Sequence, residues 1–312
     1  MFKLDIVVPT HNRYQDIKSF LDRNAWFFLE TGSNLFILDN ASNSQTKDFL
    51  HSRAQNTPYL RVISSNNLCP ATNNILRAFD LELENRLWIM GDRYLIPRNI
   101  KRLTDSIESD DFVLLSSKKH RRISSEYVKI TKENFYKGHD AVISASCLST
   151  IIYPLGYRPT IQDLSLASSS LFPHTYILAK NISRGFTVRH HANICVLNTQ
   201  DGTVNWSYGD KWFEIGVEGW LDLVDQLRLT TNLKIDRGLY TCFVAKTSLG
   251  SFRGIFKRRY LGLINLRFYT EKYSIIIRMF PLKSIVTILI ASVTPRWVLM
   301  RILDKINGRK TI

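Results

Sequence analysis

The chain has 312 residues, 45% of them apolar, with a mean hydropathy of -0.11; this excludes a disordered polymer and leaves room for one large domain or one domain plus an appendage. Its net charge of +15 is unevenly spread: from Lys246 onward 14 Lys and Arg face only Glu271 and Asp304, a net +12, so the first 245 residues are close to neutral. Four scattered cysteines (Cys69, Cys147, Cys195, Cys242) lack CxxC spacing, which argues against a zinc site, and Met1-Phe2-Lys3 runs into the first apolar segment without a secretory leader. The expectation is a cytosolic protein with reduced thiols.

In chain order, Ile6–Val8 reads as a buried strand, followed by a helix from Asn12 to about Glu30 with Ile17, Phe20, Leu21 and Phe28 on one face. Leu35–Leu38 is a second strand, and Ser44 is the expected N-cap of a helix through Leu50. Leu60–Ser64 is a third strand, Asn73–Leu83 a helix, and Leu87–Met90 a fourth strand. Pro97 suits the first position of a further helix. Phe112–Leu115 and Ala141–Ser144 read as later strands, with a basic loop or edge hairpin over Ser116–Tyr136 between them. From Ile161 the pattern is mostly helical, broken by a possible strand over Val188–Leu197, and Glu218–Leu229 is an amphipathic helix. Strand and helix alternate, so the expected class is α/β with a mostly parallel sheet.

Parallel sheets carry ligand sites at the carboxyl ends of their strands. Three apolar runs here end abruptly in polar residues: Leu4–Arg13 (LDIVVPTHNR), Leu35–Ser42 (LFILDNAS) and Leu87–Tyr94 (LWIMGDRY). Thr10, His11, Asn12 and Arg13 would line the first strand end, Asp39 and Asn40 the second, and Asp92 the fourth. A carboxylate there can accept a base N–H or a ribose hydroxyl, and Arg13 can reach a phosphate. The competing reading of Asp39-Asn40-Ala41-Ser42 is a capped turn.

These segments, with Asn67 and Asn74 between them, resemble the nucleotide-sugar domain of family 2 glycosyltransferases of GT-A fold. Within it they most resemble the abequosyltransferase-like branch that builds O-antigen and capsule, whose members read P-T-Y-N-R, D-N-A-S and L-G-D-D-D. The resemblance implies a Rossmann-like nucleotide-sugar domain in which Thr10, Asn12, Asp39, Asn74 and Asp92 meet the donor, with Asp39 on the base; Arg13 and Arg93 join the donor-site candidates for their charge, not from the family pattern. It also implies a divalent metal, Mn²⁺ or Mg²⁺, for which Asp92 is the candidate ligand. The departure lies at Gly91-Asp92-Arg93-Tyr94, where Arg93 and Tyr94 stand in place of carboxylates. One carboxylate is a poor cage for a hard cation. Arg93 can take over part of the metal's task, donor binding can have been lost, or Arg93 can merely face solvent or Asp92.

Inverting transfer needs a base near the acceptor hydroxyl. The candidates are Asp163, His174 and Asp140; helix-cap duty competes for Asp163 and an ordinary first-turn role for His174. The implied layout is a GT-A domain over 1–245, with a nucleotide-sugar half at 1–97 and an acceptor half at 98–245, then a basic, helical, membrane-associating extension over 246–312. In that extension Trp297 and Phe280 would dip into headgroups while Lys257, Arg258, Arg259 and Arg301 meet anionic lipid; a helical lid on the catalytic domain is the alternative. No nucleic-acid motif occurs. The expected activity is transfer from a nucleotide sugar, a UDP-sugar first, to a lipid-linked oligosaccharide acceptor at the inner face of the cell membrane. The runner-up is a non-catalytic nucleotide-sugar-binding or scaffold protein of a polysaccharide assembly complex.

Overall fold

A computed structural model describes residues 3–105, 110–117, 127–135, 139–198, 211–247, 249–295, 297–299 and 301–302. The chain forms two compact units: Met1–Asp201 with Thr230–Leu233, and Gly202–Leu229 with Lys234–Ile312. The sequence places a boundary at residue 245, whereas packing places it near residue 201.

The first unit is an α/β layer structure. Its strands are β1 (Leu4–Thr10), β2 (Asn34–Asn40), β3 (Leu60–Ser65), β4 (Arg86–Ile89), β5 (Tyr94–Leu95), β6 (Phe112–Ser116), β7 (Val128–Ile130), β8 (Ile151–Ile152), β9 (Val188–Cys195) and β10 (Leu197–Asn198). The main sheet runs β3-β2-β1-β4-β8-β6-β9-β7, and β5 pairs with β10 in a small second sheet. The β1–β2, β2–β3, β1–β4 and β6–β9 pairs are parallel; β8 lies antiparallel between β4 and β6. β7 closes the edge antiparallel to β9, within the segment read as an edge hairpin.

β1 is central, so Leu4, Ile6, Val7 and Val8 are all shielded from water, and Ile6–Val8 form a continuous apolar run instead of an alternating one. At its start the buried carboxylate of Asp5 accepts from the Asn34 side chain, from the Glu84 and Asn85 amides and from the Asn85 side chain, at 2.8–2.9 Å. Four hydrogen bonds offset the desolvation of that carboxylate and align β1, β2 and the entry to β4.

Helix α1 (Tyr14–Thr31) buries Ile17, Phe20, Leu21, Phe27 and Phe28 against this sheet and ends at Gly32, whose φ of 66° suits a left-handed cap. Helix α2 (Ser44–Gln55) is capped by Asn43, not Ser44: the Asn43 side chain accepts from the Thr46 amide at 3.0 Å. Helix α3 (Ala71–Leu76) is shorter than the expected Asn73–Leu83 element and tightens into a 3₁₀ turn over Arg77–Asp80. The segment after Pro97 is likewise 3₁₀, over Arg98–Asp105. Residues 141–144, expected as a strand, lie in helix α4 (His139–Ala145). A four-residue apolar run fits either form, and here Ala141, Ile143 and Ala145 are buried in the helix. Helices α5 (Ile161–Ser168) and α6 (Pro173–Ser183) complete the unit.

The second unit is helical: α7 (Gly219–Thr230), α8 (Arg237–Lys246), α9 (Phe252–Tyr260), α10 (Leu266–Glu271), α11 (Tyr273–Met279) and α12 (Leu282–Val293). Trp220 stacks on Phe243 with centroids 4.7 Å apart. Two residues expected to face lipid are interior instead. Phe280 is buried, and Arg258 is fully buried with its guanidinium 4.5 Å over the Trp212 ring. Their burial follows from helix packing that the apolar-basic alternation does not reveal.

Candidate functional site

Strands β1, β2 and β4 are mutually parallel, so their carboxyl ends share one edge, with Thr10 in register with Asp39. Both turns leaving these ends bend through left-handed residues that are not glycine: Asn12 at φ 54° and Ala41 at φ 53°. Asn tolerates that region, but Ala is strained in it, and such strain persists only where neighbours enforce it. Here they do. The Asn12 amide donates to Ser42 Oγ at 2.9 Å, and the Asn43 amide donates to Asn12 Oδ1 at 2.7 Å. His11 Nδ1 lies 2.7 Å from the Asn40 carbonyl, so it carries the proton and leaves Nε2 to accept from Asn12 Nδ2 at 2.9 Å. The side chain of Asn12, expected to meet a nucleotide, is thus spent on joining two loops.

Asn40 extends the lock to the next loop: its side chain donates to the Cys69 carbonyl at 2.8 Å and accepts from the Cys69 amide at 2.9 Å. Asn74 behaves similarly. It donates to the Leu38 carbonyl at 3.2 Å and accepts from Arg77 at 2.9 Å, tying α3 to β2.

Asp39 is different. It is fully buried; Oδ1 accepts from the Ser42 amide at 3.2 Å, but Oδ2 has no hydrogen-bond partner among the described residues. Buried polar atoms are nearly always paired, so an orphan at a strand end marks where a ligand donor belongs.

The end of β4 carries the charged part of the site. Asp92 is buried; its Oδ2 accepts from Thr10 Oγ1 at 3.0 Å, and its Oδ1 lies 3.6 Å from the Arg13 guanidinium. Burial pushes the Asp92 carboxyl up, against the opposing pull of Arg13 and the Thr10 hydroxyl. Arg13 also lies 3.7 Å from Asp16, and Arg93 Nε donates to Asp16 Oδ2 at 2.8 Å. Arg93 therefore pairs directly with Asp16, and its charge also favours the ionised Asp92 carboxylate. Gly91 precedes them because a Cβ there would sit 3.1 Å from the Tyr94 ring; its amide donates to Ser149 Oγ at 2.9 Å. Ser42 was read only as part of the Asp39–Ser42 turn, and Asp16 and Ser149 were not singled out from the sequence. Of those two, Asp16 had a signal, its position three residues after Arg13 in the first turn of α1.

Among the described residues no three of His, Cys, Asp and Glu gather as a metal cage. The two carboxylates there, Asp92 and Asp16, are already engaged, Asp92 by Thr10 and Arg13 and Asp16 by Arg13 and Arg93. This donor set does not fit a protein-held Mn²⁺ or Mg²⁺, which takes several uncommitted oxygens.

Of the three expected bases, Asp163 is corrected. Its carboxylate is buried and held at both oxygens by Arg184, at 2.5 and 2.9 Å. Burial alone would raise its pKa; the Arg184 fork and Thr160 outweigh it and hold the carboxyl below its usual range. His174 is corrected too. It is buried in α6, its Nε2 donates to the Ser146 carbonyl at 3.2 Å, and burial pushes it down to about 4. A neutral imidazole fixed in packing has no access to an acceptor hydroxyl. Asp140 lies in α4.

No protein-family model and no curated protein matches the sequence. Solved structures do match in fold. The mannosyltransferase PcManGT from Pyrobaculum calidifontis, solved with GDP-Man and Mn²⁺, superposes with a TM-score of 0.54 at 12% identity over 97% of this chain and 84% of its own. TarS 1-349 of S. aureus, solved with UDP-GlcNAc, gives 0.54 at 14% identity over 100% of this chain and 93% of its own. The chain therefore has the expected α/β, GT-A-type fold, and it shares that fold with proteins solved holding nucleotide sugars.

Proposed function

We propose that the first unit is a glycosyltransferase that binds a nucleoside diphosphate sugar, a UDP-sugar first, at the ends of β1, β2 and β4. The observation that carries this reading is the orphaned Asp39 Oδ2, a buried acceptor at the strand end where a base or ribose donor would pair with it. Thr10 and Asp92 are fixed beside it, and Arg13 and Arg93 supply positive charge where a diphosphate leaves. The acceptor oxygen attacks the anomeric carbon, the bond to the diphosphate breaks on the opposite face, and the hydroxyl proton passes to a carboxylate. Asp140 is the remaining candidate for that carboxylate. Thermal-shift profiling against UDP, GDP, CDP and dTDP tests the reading: one diphosphate should raise the melting temperature, and stabilisation by none would sink it.

The acceptor we assign is a lipid-linked glycan of bacterial surface polysaccharide, O-antigen or capsule, as in the abequosyltransferase-like branch. Two features support a peripheral position on the inner face of the membrane. The segment from Lys246 is strongly basic, and α12 presents an exposed apolar face. Among the described residues no helix is long and apolar enough to cross a bilayer. A non-catalytic nucleotide-sugar binder is favoured by one observation, the engagement of both Asp163 and His174 in packing. Slow hydrolysis of a bound nucleotide sugar would exclude it.

A further inference from the structure

We infer that Arg13 and Arg93 carry the charge of the bound diphosphate, so that this chain holds a nucleoside diphosphate without a divalent cation. The inference rests on the donor-site reading above and assigns these two side chains a role within it.

Four side chains form one linked array at the ends of β1 and β4. Arg13 faces Asp92 at 3.6 Å and Asp16 at 3.7 Å, and Arg93 donates to Asp16 at 2.8 Å. Two guanidinium charges beside two carboxylates have the same formal balance as one divalent cation beside two carboxylates. The positive charge is permanent and covalently tethered, so it needs no ion from solution. Arg13 has the stronger claim to contact phosphate. Both its carboxylate neighbours lie beyond hydrogen-bond range, and its guanidinium donates no hydrogen bond to any described residue. It is also half-exposed. The ion pairs fix its direction and leave its donor fork available for two phosphate oxygens.

A second feature points the same way. Arg13 occupies the N-cap position of the 18-residue helix α1, where a serine or aspartate oxygen would ordinarily accept from a first-turn amide, and it supplies no such acceptor. Among the described residues the helix start therefore has no cap from its N-cap side chain, and it lies beside two guanidinium groups whose pairing with Asp16 offsets that carboxylate, a combination that favours an anion. A cation entering here would have to displace Arg13 from Asp92 and then lie against two like charges.

Calorimetric titration of the full chain with UDP and uridine, and in parallel with GDP and guanosine, tests this in EDTA and in Mn²⁺. The expected result is diphosphate binding in EDTA within about threefold of that in Mn²⁺. Arg93→Ala should weaken the diphosphate about tenfold, the loss of one charge-assisted contact, and leave the nucleoside unchanged. Arg93→Lys should keep part of the affinity. Arg93→Asp, which places a second carboxylate beside Asp92, should make binding Mn²⁺-dependent. If the native chain binds the diphosphate only with Mn²⁺, the inference is wrong and the donor-site reading stands. If the nucleoside binds as well as its diphosphate, the inference also fails. If neither binds under any condition, the donor-site reading falls and takes the inference with it.

Discussion

Thr10 and Asp92 stand 82 residues apart in sequence and meet at 3.0 Å, a hydroxyl donating to a carboxylate across the ends of β1 and β4. The bond orders the β4 terminus and shares the load on a carboxylate that burial disfavours. Thr10→Val keeps the shape and removes the donor. It should cost about 1–2 kcal/mol in urea unfolding and weaken nucleotide binding, whereas Thr10→Ser should restore both. Equal binding by the valine variant would show that Asp92 needs no such support.

Asp39 predicts an opposition between stability and function. Its Oδ2 is buried without a partner while Oδ1 accepts from Ser42. Asp39→Asn keeps the Ser42 contact through its remaining oxygen and replaces a buried, unpaired carboxylate oxygen with a neutral amide nitrogen. The variant should be as stable as the native chain or more stable by about 1 kcal/mol, yet bind nucleotide at least about tenfold more weakly. A variant that loses stability and keeps affinity would place the ligand elsewhere.

These strand-end residues were legible in the sequence because central parallel strands are buried on both faces. The apolar runs Ile6–Val8, Leu35–Leu38 and Leu87–Met90 stop where the sheet stops. Side-chain commitments were not legible. Asn12 and Asn74 resemble ligand contacts in sequence, but their partners Asn43 and Leu38 come from other elements. Arg93 meets Asp16 across 77 residues, a pairing that only the sheet register creates. Residues 141–144 failed for a different reason: a short apolar run has too few turns to show its period.

The Asp163–Arg184 pair is structural, and its loss should read as stability. Arg184→Gln leaves a buried carboxylate without its guanidinium partner. The expected cost is about 2 kcal/mol, below the roughly 3–5 kcal/mol of fully buried pairs because Arg184 is 37% exposed. The carboxyl is held below its usual range, so its contribution is complete above the unfolded value and disappears as pH falls through the folded one. Asp163→Asn should lower the melting temperature without moving the pH profile of sugar transfer. A shifted profile would return Asp163 to the chemistry.

His174 adds a second acid sensitivity of the same sign but of different origin. Burial holds it near 4 from an ordinary 6.5, so between those values the unfolded chain binds a proton that the folded chain refuses. Stability should therefore be unaffected above pH 6.5 and fall steadily below it, by about 3 kcal/mol at pH 4. His174→Asn lowers stability at every pH but should flatten this acid slope. Matching slopes in the two proteins would show that the imidazole is protonated inside the fold.

Helix α12 offers the sharpest test of the membrane reading. Leu282, Val286, Leu289, Ile290 and Val293 are 76, 47, 42, 52 and 63% exposed, and their spacing puts them on one face. The opposite face, with Ile288 and Ala291, is fully buried, so the helix is anchored while its apolar stripe stays open to solvent. Just beyond it Trp297 is 59% exposed, with the Arg301 guanidinium 5.5 Å from its ring, an aromatic and a cation suited to headgroup depth. The full chain should co-sediment with phosphatidylglycerol vesicles and much less with phosphatidylcholine, and salt should weaken the attachment. Val286→Glu with Ile290→Glu should reduce vesicle binding by about tenfold or more, because two apolar contacts become charges at the lipid boundary. Both side chains face water, so the melting temperature and nucleotide affinity should not change. Undiminished vesicle binding by the double variant would remove α12 from the membrane contact, and no binding by the native chain would remove the membrane itself.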